Sequence, residues 1–375
     1  MLEIKNLKNE GCQVIVEKKY ITLSKPFTTE SGYTFDEPVV AYEEYGNPNG
    51  PVVLLAHGGL SPAHAAGKYS EDDAKPGWWD SMIGPGKAFD TDKFRILCSC
   101  SLGIGFGSTA PNTINPKTGC RYGPLFPDIS LVDTVNYQKS FCEEMGVEKL
   151  HIMSGLSTGS LQTLQMASLY PEFVGAAIPV ATAGRMTADG LMMHHFMINA
   201  MKMDPGYQGG WYNTDHELYS TRLISQAMKI YYFHEKTVTK LAWDTVPEGP
   251  DSQQQRIDAV LSHLTATSDV DWLQRDPNCI VKFIAAVNSH DLGRLGGGYE
   301  AGIQKIDCPV LLMNVDTDRE FPPHFAHEVA DILNAAKPGA ADVRILESIW
   351  GHYGCGMEQE QMSAHILEFR EKHGL

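Results

Sequence analysis

The run "PVVLLAH" (51–57) has no polar side chain before its histidine. Similar apolar-rich runs recur through the first half of the chain: "QVIVEKKYITL" (13–23), "PVVAYEEYG" (38–46), "FRILCSCSL" (94–102), "KLHIMSG" (149–155) and "VGAAIPVAT" (174–182). A strand that is apolar at every position is covered on both faces, as in a parallel sheet flanked by helices. Between these runs, "LVDTVNYQKSFCEEMGV" (131–147) and "SLQTLQMASLY" (160–170) space their apolar residues at helical period, and Pro171 stops the second. The alternation predicts a β/α chain with a mostly parallel central sheet.

From about Met186 to Arg294 the pattern changes. "LMMHHFMINAMKM", "HELYSTRLISQAMKIYYFHEK" and "SQQQRIDAVLSHLTAT" are helical, rich in methionine and aromatics, and no strand pattern appears among them. The β/α alternation resumes with "CPVLLMNVD", a helix from about Pro323, "DVRILESI" and the helix "EQEQMSAHILEFREKHG". The expected organisation is an α/β core over residues 1–185 and 295–375, carrying a helical lid insertion over 186–294. The lid is expected above the carboxyl ends of the strands, where such sheets bind ligands. Its methionines and aromatics suit an apolar funnel.

Composition narrows the choice of partners. The 375 residues include 43% hydrophobic and 20% charged residues, enough for a sizeable core without metal or disulfide staples. A net charge of −16 argues against nucleic acid or an anionic membrane as partner. No apolar run reaches the length of a membrane span, and the N-terminal segment has no apolar signal region. The eight cysteines form no C-x-x-C pair; Cys98 and Cys100 share one face of a strand and read as core thiols. A reducing, cytoplasmic compartment is the expectation.

The chemistry concentrates at Gly155-Leu156-Ser157-Thr158-Gly159. This G-x-S-x-G lies between an apolar strand and a helix, the arrangement that lifts a nucleophilic serine on a sharp turn. Its glycines permit tight strand–helix packing, and the helix N-terminus favours negative charge nearby. The alternative is a serine in a structural turn. A serine hydroxyl needs a base, and the base needs an orienting acceptor. In this arrangement the acid and the histidine follow in that order, after late strands. Asp316 and Asp318 both follow "CPVLLMNV", and His352 follows "DVRILESI". His352 stands out among fourteen histidines for its place; His57, His290 and His327 do not follow the last strand. An oxyanion hole would take one N–H from Thr158 and another from the loop after "PVVLLAH", where Gly58 or Gly59 allows close backbone approach.

Three other patterns carry less. Gly103-Ile104-Gly105-Phe106-Gly107 lacks the third glycine and the helix of a dinucleotide loop. "HEVAD" (327–331) lacks the second histidine of a zinc protease. His194 and His195 face different sides of their helix and read as lid packing.

The chain resembles the homoserine O-acetyltransferase family of α/β-hydrolases over nearly its whole length. The resemblance rests on "PGWWDSMIGPGKAFDTDKF" (76–94), "GSTAPNTINPKTGCRYGPLFPDIS" (107–130), "DPGYQGGWY" (204–212), "SHDLGR" (289–294) and "DTDREFP" (316–322). It implies the α/β-hydrolase fold, Ser157 as nucleophile, Asp318 rather than Asp316 as acid, and His352 of the Gly351-His352 pair as base. It also implies Arg222 as the clamp for the acceptor's carboxylate.

Other positions depart from the family. Its elbow typically reads G-G-S-M-G-G, where this chain has Gly155-Leu156-Ser157-Thr158-Gly159-Ser160. Its loop H-A-L-T-G is replaced by His57-Gly58-Gly59-Leu60-Ser61. An aspartate that follows the Gly-His pair and helps hold the amino-acid acceptor is replaced by Tyr353, and a tunnel tyrosine falls on Lys229. Lost hydrogen-bond partners weaken binding of a charged acceptor steeply. The expectation is therefore a serine-dependent carboxylic-ester hydrolase acting on small acetyl esters, with Thr158 and Gly59 N–H groups on the oxyanion and Arg222, Lys229 and Tyr353 around the substrate. An acetyl-CoA-dependent homoserine (or serine) O-acetyltransferase is the alternative. The mechanism calls for no metal or cofactor. The expected partner is a small-molecule ester, and the expected assembly is a homodimer.

Overall fold

The computed structural model describes residues 15–214, 218–266 and 275–375. Residues 13–14, 216–217 and 267, the outer ends of three expected elements, lie outside that set.

An eight-stranded sheet organises the chain. Its strands are β1 (Lys19–Thr22), β2 (Val39–Gly46), β3 (Val52–Ala56), β4 (Arg95–Ser99), β5 (Ile152–Leu156), β6 (Ala177–Val180), β7 (Val310–Val315) and β8 (Ala341–Leu346). The spatial order is β1-β2-β4-β3-β5-β6-β7-β8. β1 and β2 pair antiparallel, as do β2 and β4; every other pairing is parallel. The uniformly apolar runs lie inside the sheet: four of the five residues of β3 are buried, and all six of β7 are. β8, an outer strand with alternating Asp342 and Arg344, is largely half-buried. Two hydrophobic clusters, one on each face, fill the space between sheet and helices.

The helices of the core are α1 (Leu131–Glu144), α2 (Thr158–Leu169), α8 (Tyr299–Gln304), α9 (Pro323–Ala336) and α10 (Gln359–His373). Between β6 and β7 run α3 (Ala188–Met203), α4 (Tyr219–Tyr232), α5 (Glu235–Leu241), α6 (Ser252–Ala266) and α7 (Pro277–Val287). Among the described residues, no strand interrupts this stretch. α2 is buried along eleven of its residues, because β5 and β6 pack on one side and α1 on another. α3 packs against α4 and α7. Side chains from α3, α4 and α7 meet the loops at the carboxyl ends of β3, β5, β7 and β8 and close a cavity there.

Candidate active site

The turn from β5 into α2 is shaped by close contact. A Cβ on Gly155 would lie 2.5 Å from the Gly159 carbonyl oxygen, and one on Gly159 would lie 2.1 Å from the Ala56 carbonyl oxygen. Neither position accepts a side chain. The chain turns at Ser157, whose φ of 53° and ψ of −122° lie outside the regions open to ordinary L-residues. The surroundings hold it there: Ser157 N–H donates to Val180 O at 2.9 Å. Ser160 donates its hydroxyl toward the carbonyls of Ser157 and Ala181 at 2.6 and 2.8 Å.

Ser157 Oγ lies 2.8 Å from His352 Nε2, and His352 Nδ1 lies 2.8 Å from Asp318 Oδ2. The other oxygen of Asp318 accepts from the N–H groups of Glu320 and Phe321 at 2.8 and 3.1 Å. These bonds fix the carboxylate and leave one face for the imidazole. Asn314, at the end of β7, braces the loop by donating to Thr182 O and Phe321 O, both at 2.9 Å. Asp316 takes no part in this contact. It is exposed and accepts from Ser348 N–H at 2.9 Å, tying two loops together. His352 depends in turn on Gly351: at φ 62°, a Cβ there would lie 2.2 Å from Tyr232 O.

His352 is buried. Burial works against its charged form, but the carboxylates of Asp318 and Glu320 outweigh that and push it up to about 9. His57 shows the opposite case. Buried without a carboxylate neighbour, it is pushed down to about 4. Neutral, it donates from Nδ1 to Gly58 O at 2.8 Å and accepts Ser101 N–H at Nε2 at 3.0 Å. A trans peptide sets its C=O and N–H on opposite sides, so anchoring Gly58 O turns the Gly59 N–H away from His57. Gly59 stands beside Thr158: a Cβ on Gly59 would lie 3.1 Å from Thr158 Oγ1. Thr158, the first residue of α2, has an N–H with no acceptor inside the helix.

The cavity has a volume of about 240 Å³. Gly59, Ser157, Thr158, His352 and Tyr353 all line it, among mainly apolar neighbours such as Met197, Met228 and Phe283. Two expected substrate contacts are elsewhere. Lys229 is buried against the end of α6, where its Nζ donates to the carbonyls of His263 and Leu264 at 3.1 and 3.0 Å. Those are last-turn carbonyls that a helix cannot satisfy itself. Arg222 is exposed on α4 and is not among the cavity residues.

Two residues of the cavity escaped the sequence reading. Glu320 looks like a turn charge beside Arg319, yet it is buried next to His352. His194 was expected to pack within the lid and instead lines the cavity. Its signal was its spacing: Gly190, Met193, His194, Met197 and Met201 form the buried stripe of α3. A histidine on such a stripe needs a polar partner.

A family model described as alpha/beta hydrolase fold matches residues 51–348. A homoserine O-acetyltransferase from Deferribacter desulfuricans is 34% identical over 363 residues, covering 96% of both chains. Among solved structures, homoserine O-acetyltransferase from Bacillus anthracis superposes with a TM-score of 0.86 at 27% identity, covering 95% of this chain and 98% of that one. Esterase E22 superposes with a TM-score of 0.83 at 25% identity, covering 95% and 100%. These likenesses overturn the expectation of a simple ester hydrolase, since the relatives at higher identity are acetyltransferases. Of the two substituted positions, Lys229 has its ammonium bonded to the end of α6, while Tyr353 lines the cavity. The chain belongs to the homoserine O-acetyltransferase family of α/β-hydrolases.

Proposed function

We propose that this protein is an O-acyltransferase that moves an acetyl group from acetyl-CoA to the hydroxyl of homoserine through an acyl-enzyme on Ser157. The observation that carries the reading is the 34% identity to a homoserine O-acetyltransferase over 96% of both chains. The contacts of Ser157, His352 and Asp318 suit the chemistry.

In the first half-reaction Ser157 Oγ bonds to the thioester carbonyl carbon while its proton passes to His352 Nε2. The N–H groups of Thr158 and Gly59 receive the negative charge that builds on the carbonyl oxygen. The C–S bond then breaks, and the thiolate takes the proton from Nε2. In the second half the acceptor hydroxyl gives its proton to Nε2 and bonds to the acyl carbon. The Ser157 ester breaks, and the proton returns to Oγ. Asp318 holds the imidazole with Nδ1 protonated, so that Nε2 faces the serine. Residues 186–294 serve as a lid: an apolar roof limits water, which competes with homoserine for the acyl-enzyme.

The test is thiol release from acetyl-CoA with and without homoserine, with O-acetylhomoserine measured as product. Release that depends on homoserine, matched by product, supports the reading. Release indifferent to homoserine refutes it.

A further inference from the structure

The loop that brings Asp318 to His352 carries a second carboxylate into the same site. Glu320 is 3% exposed and lines the cavity beside Ser157. Its Oε2 lies 3.3 Å from His352 Nε2, the nitrogen that Ser157 Oγ approaches at 2.8 Å. Its Oε1 lies 3.5 Å from Nε2 of His194. The Nδ1 of His194 is in turn 2.6 Å from Asn288 Oδ1, just past the end of α7.

Counting protons shows what this arrangement demands. Asp318 only accepts, so His352 Nδ1 carries a hydrogen. Nε2 then has two exclusive roles. Neutral, it accepts the hydroxyl of Ser157; protonated, it donates toward Glu320. The same count applies to His194, whose Nδ1–H donates to Asn288 Oδ1. Its Nε2 and Glu320 Oε1 would face each other as two acceptors unless one of them holds a proton. A buried carboxylate without a cationic partner is costly. The pocket therefore favours a proton shared between Glu320 and one of its two histidines.

We propose that Glu320 is a catalytic residue, a second carboxylate that competes with Ser157 for His352 Nε2 in the resting enzyme and stabilises the imidazolium formed when Ser157 attacks. The proton leaving Oγ arrives on Nε2 within reach of Glu320 and stays there until the leaving group takes it. His194, from α3, shares the charge of Glu320 and so ties the proton affinity of the base to the insertion. The assignment rests on Ser157 and His352 performing the acyl chemistry proposed above.

The surroundings contain little else that could set the proton affinity of His352. Asp318 and Glu320 face it from the β7–α9 loop, and Ser157 from the elbow. Tyr232 of α4 lies with its ring 4.9 Å away, and Tyr353 and Cys355 belong to its own segment. Burial lifts the Tyr232 phenol far above its ordinary range and raises Tyr353 to about 12, so both stay neutral. Burial likewise raises the Cys355 thiol well above its ordinary value. Behind Glu320 stand His194 and Tyr231, and farther out the Arg319–Asp189 contact at 3.7 Å. Arg275 acts on Tyr353 from a distance. Among the described residues lining the cavity, His194 and His352 are the only ones able to carry positive charge. Burial and, to a lesser degree, Asp318 raise Glu320 itself; the two histidines and a hydrogen bond from the Tyr232 phenol pull it back.

The experiment is the pH dependence of kcat/KM for acylation of Ser157 by p-nitrophenyl acetate, followed as nitrophenolate release. This step uses no acceptor, so it is read separately from transfer to homoserine. The rate should rise with pH as His352 loses its proton. In Glu320→Gln the midpoint should move down by about one pH unit or more, a tenfold change in proton affinity, and the high-pH plateau should fall. His194→Gln should move the midpoint the other way, because Glu320 then bears on His352 alone. This second variant decides the matter should the first fail to fold. Midpoints unchanged from wild type in the folded variants would overturn the assignment. If the midpoints shift as expected but homoserine is not acetylated, Glu320 keeps its role and only the acceptor reading fails.

Discussion

Ser157, Asp318 and His352 are held by backbone that allows them almost no alternative, whereas the residues contributed to the cavity by α3, α4 and α7 are held by side-chain packing. On the core side, three glycines have carbonyl oxygens within 2.1–2.5 Å of where a Cβ would stand, and Asp318 is fixed by two N–H groups. On the insertion side, Met197, Met228, Phe283 and Ile284 line the cavity by contact alone. On the proposed function, chemistry that depends on a few tenths of an ångström would sit on the first kind of scaffold, and substrate fit on the second. Methionine packs adaptably, so Met197 and Met228 can shift with little effect on the serine–histidine distance, whereas Tyr232 O at the end of α4 backs Gly351 and has no such freedom.

The comparison is broken most directly at the serine. Ser157→Ala should lower turnover by about 10⁴-fold or more while thermal unfolding stays near wild type, since only one hydroxyl is lost. Thiol release from acetyl-CoA in the presence of homoserine measures it. Next come the two aspartates of one loop. Asp318→Asn should cost about 10⁴-fold in kcat, because an amide can hold the imidazole in the wrong tautomer. Asp316→Asn, which keeps an oxygen able to accept Ser348 N–H, should stay within a few-fold of wild type. Parallel kcat measurements on the pair check this, and equal loss in both would remove the distinction drawn here.

A third change tests the backbone itself. Gly159→Ala forces a methyl to 2.1 Å from Ala56 O, and should destabilise the fold by roughly 3 kcal/mol or more, seen as a lower midpoint in urea. The smallest effect is expected at Lys229. Lys229→Met removes bonds to two carbonyls of α6 and should cost about 1 kcal/mol of stability. The KM for homoserine should change little, because the ammonium lies outside the cavity. A large change in that KM would bring Lys229 back into the acceptor site.

The same division governs how far the sequence could be read. The strands were legible because a parallel sheet buries both faces, leaving runs such as "PVVLLA" with no polar residue. The serine elbow was legible because its glycines are fixed by contacts between adjacent elements, which any chain of this fold must solve alike. Lys229 misled because its position in the sequence says nothing of which face of α4 meets the cavity. Glu320 was hidden for a related reason. An acidic residue after "DTDR" looks like exposed turn charge, and only the folded loop turns it inward toward two histidines that are 126 and 32 residues away along the chain. Residues placed by local geometry leave local signatures, and residues placed by packing between distant segments leave faint ones.

Transfer and hydrolysis part ways at the acyl-enzyme, and its partition distinguishes them. The enzyme is mixed with acetyl-CoA carrying a labelled acetyl group and with saturating homoserine, and the label is divided between O-acetylhomoserine and free acetate. A transferase puts most of the label on homoserine, with thiol release falling sharply when homoserine is withheld. Label recovered mainly as acetate, at a rate that homoserine does not change, would contradict transfer.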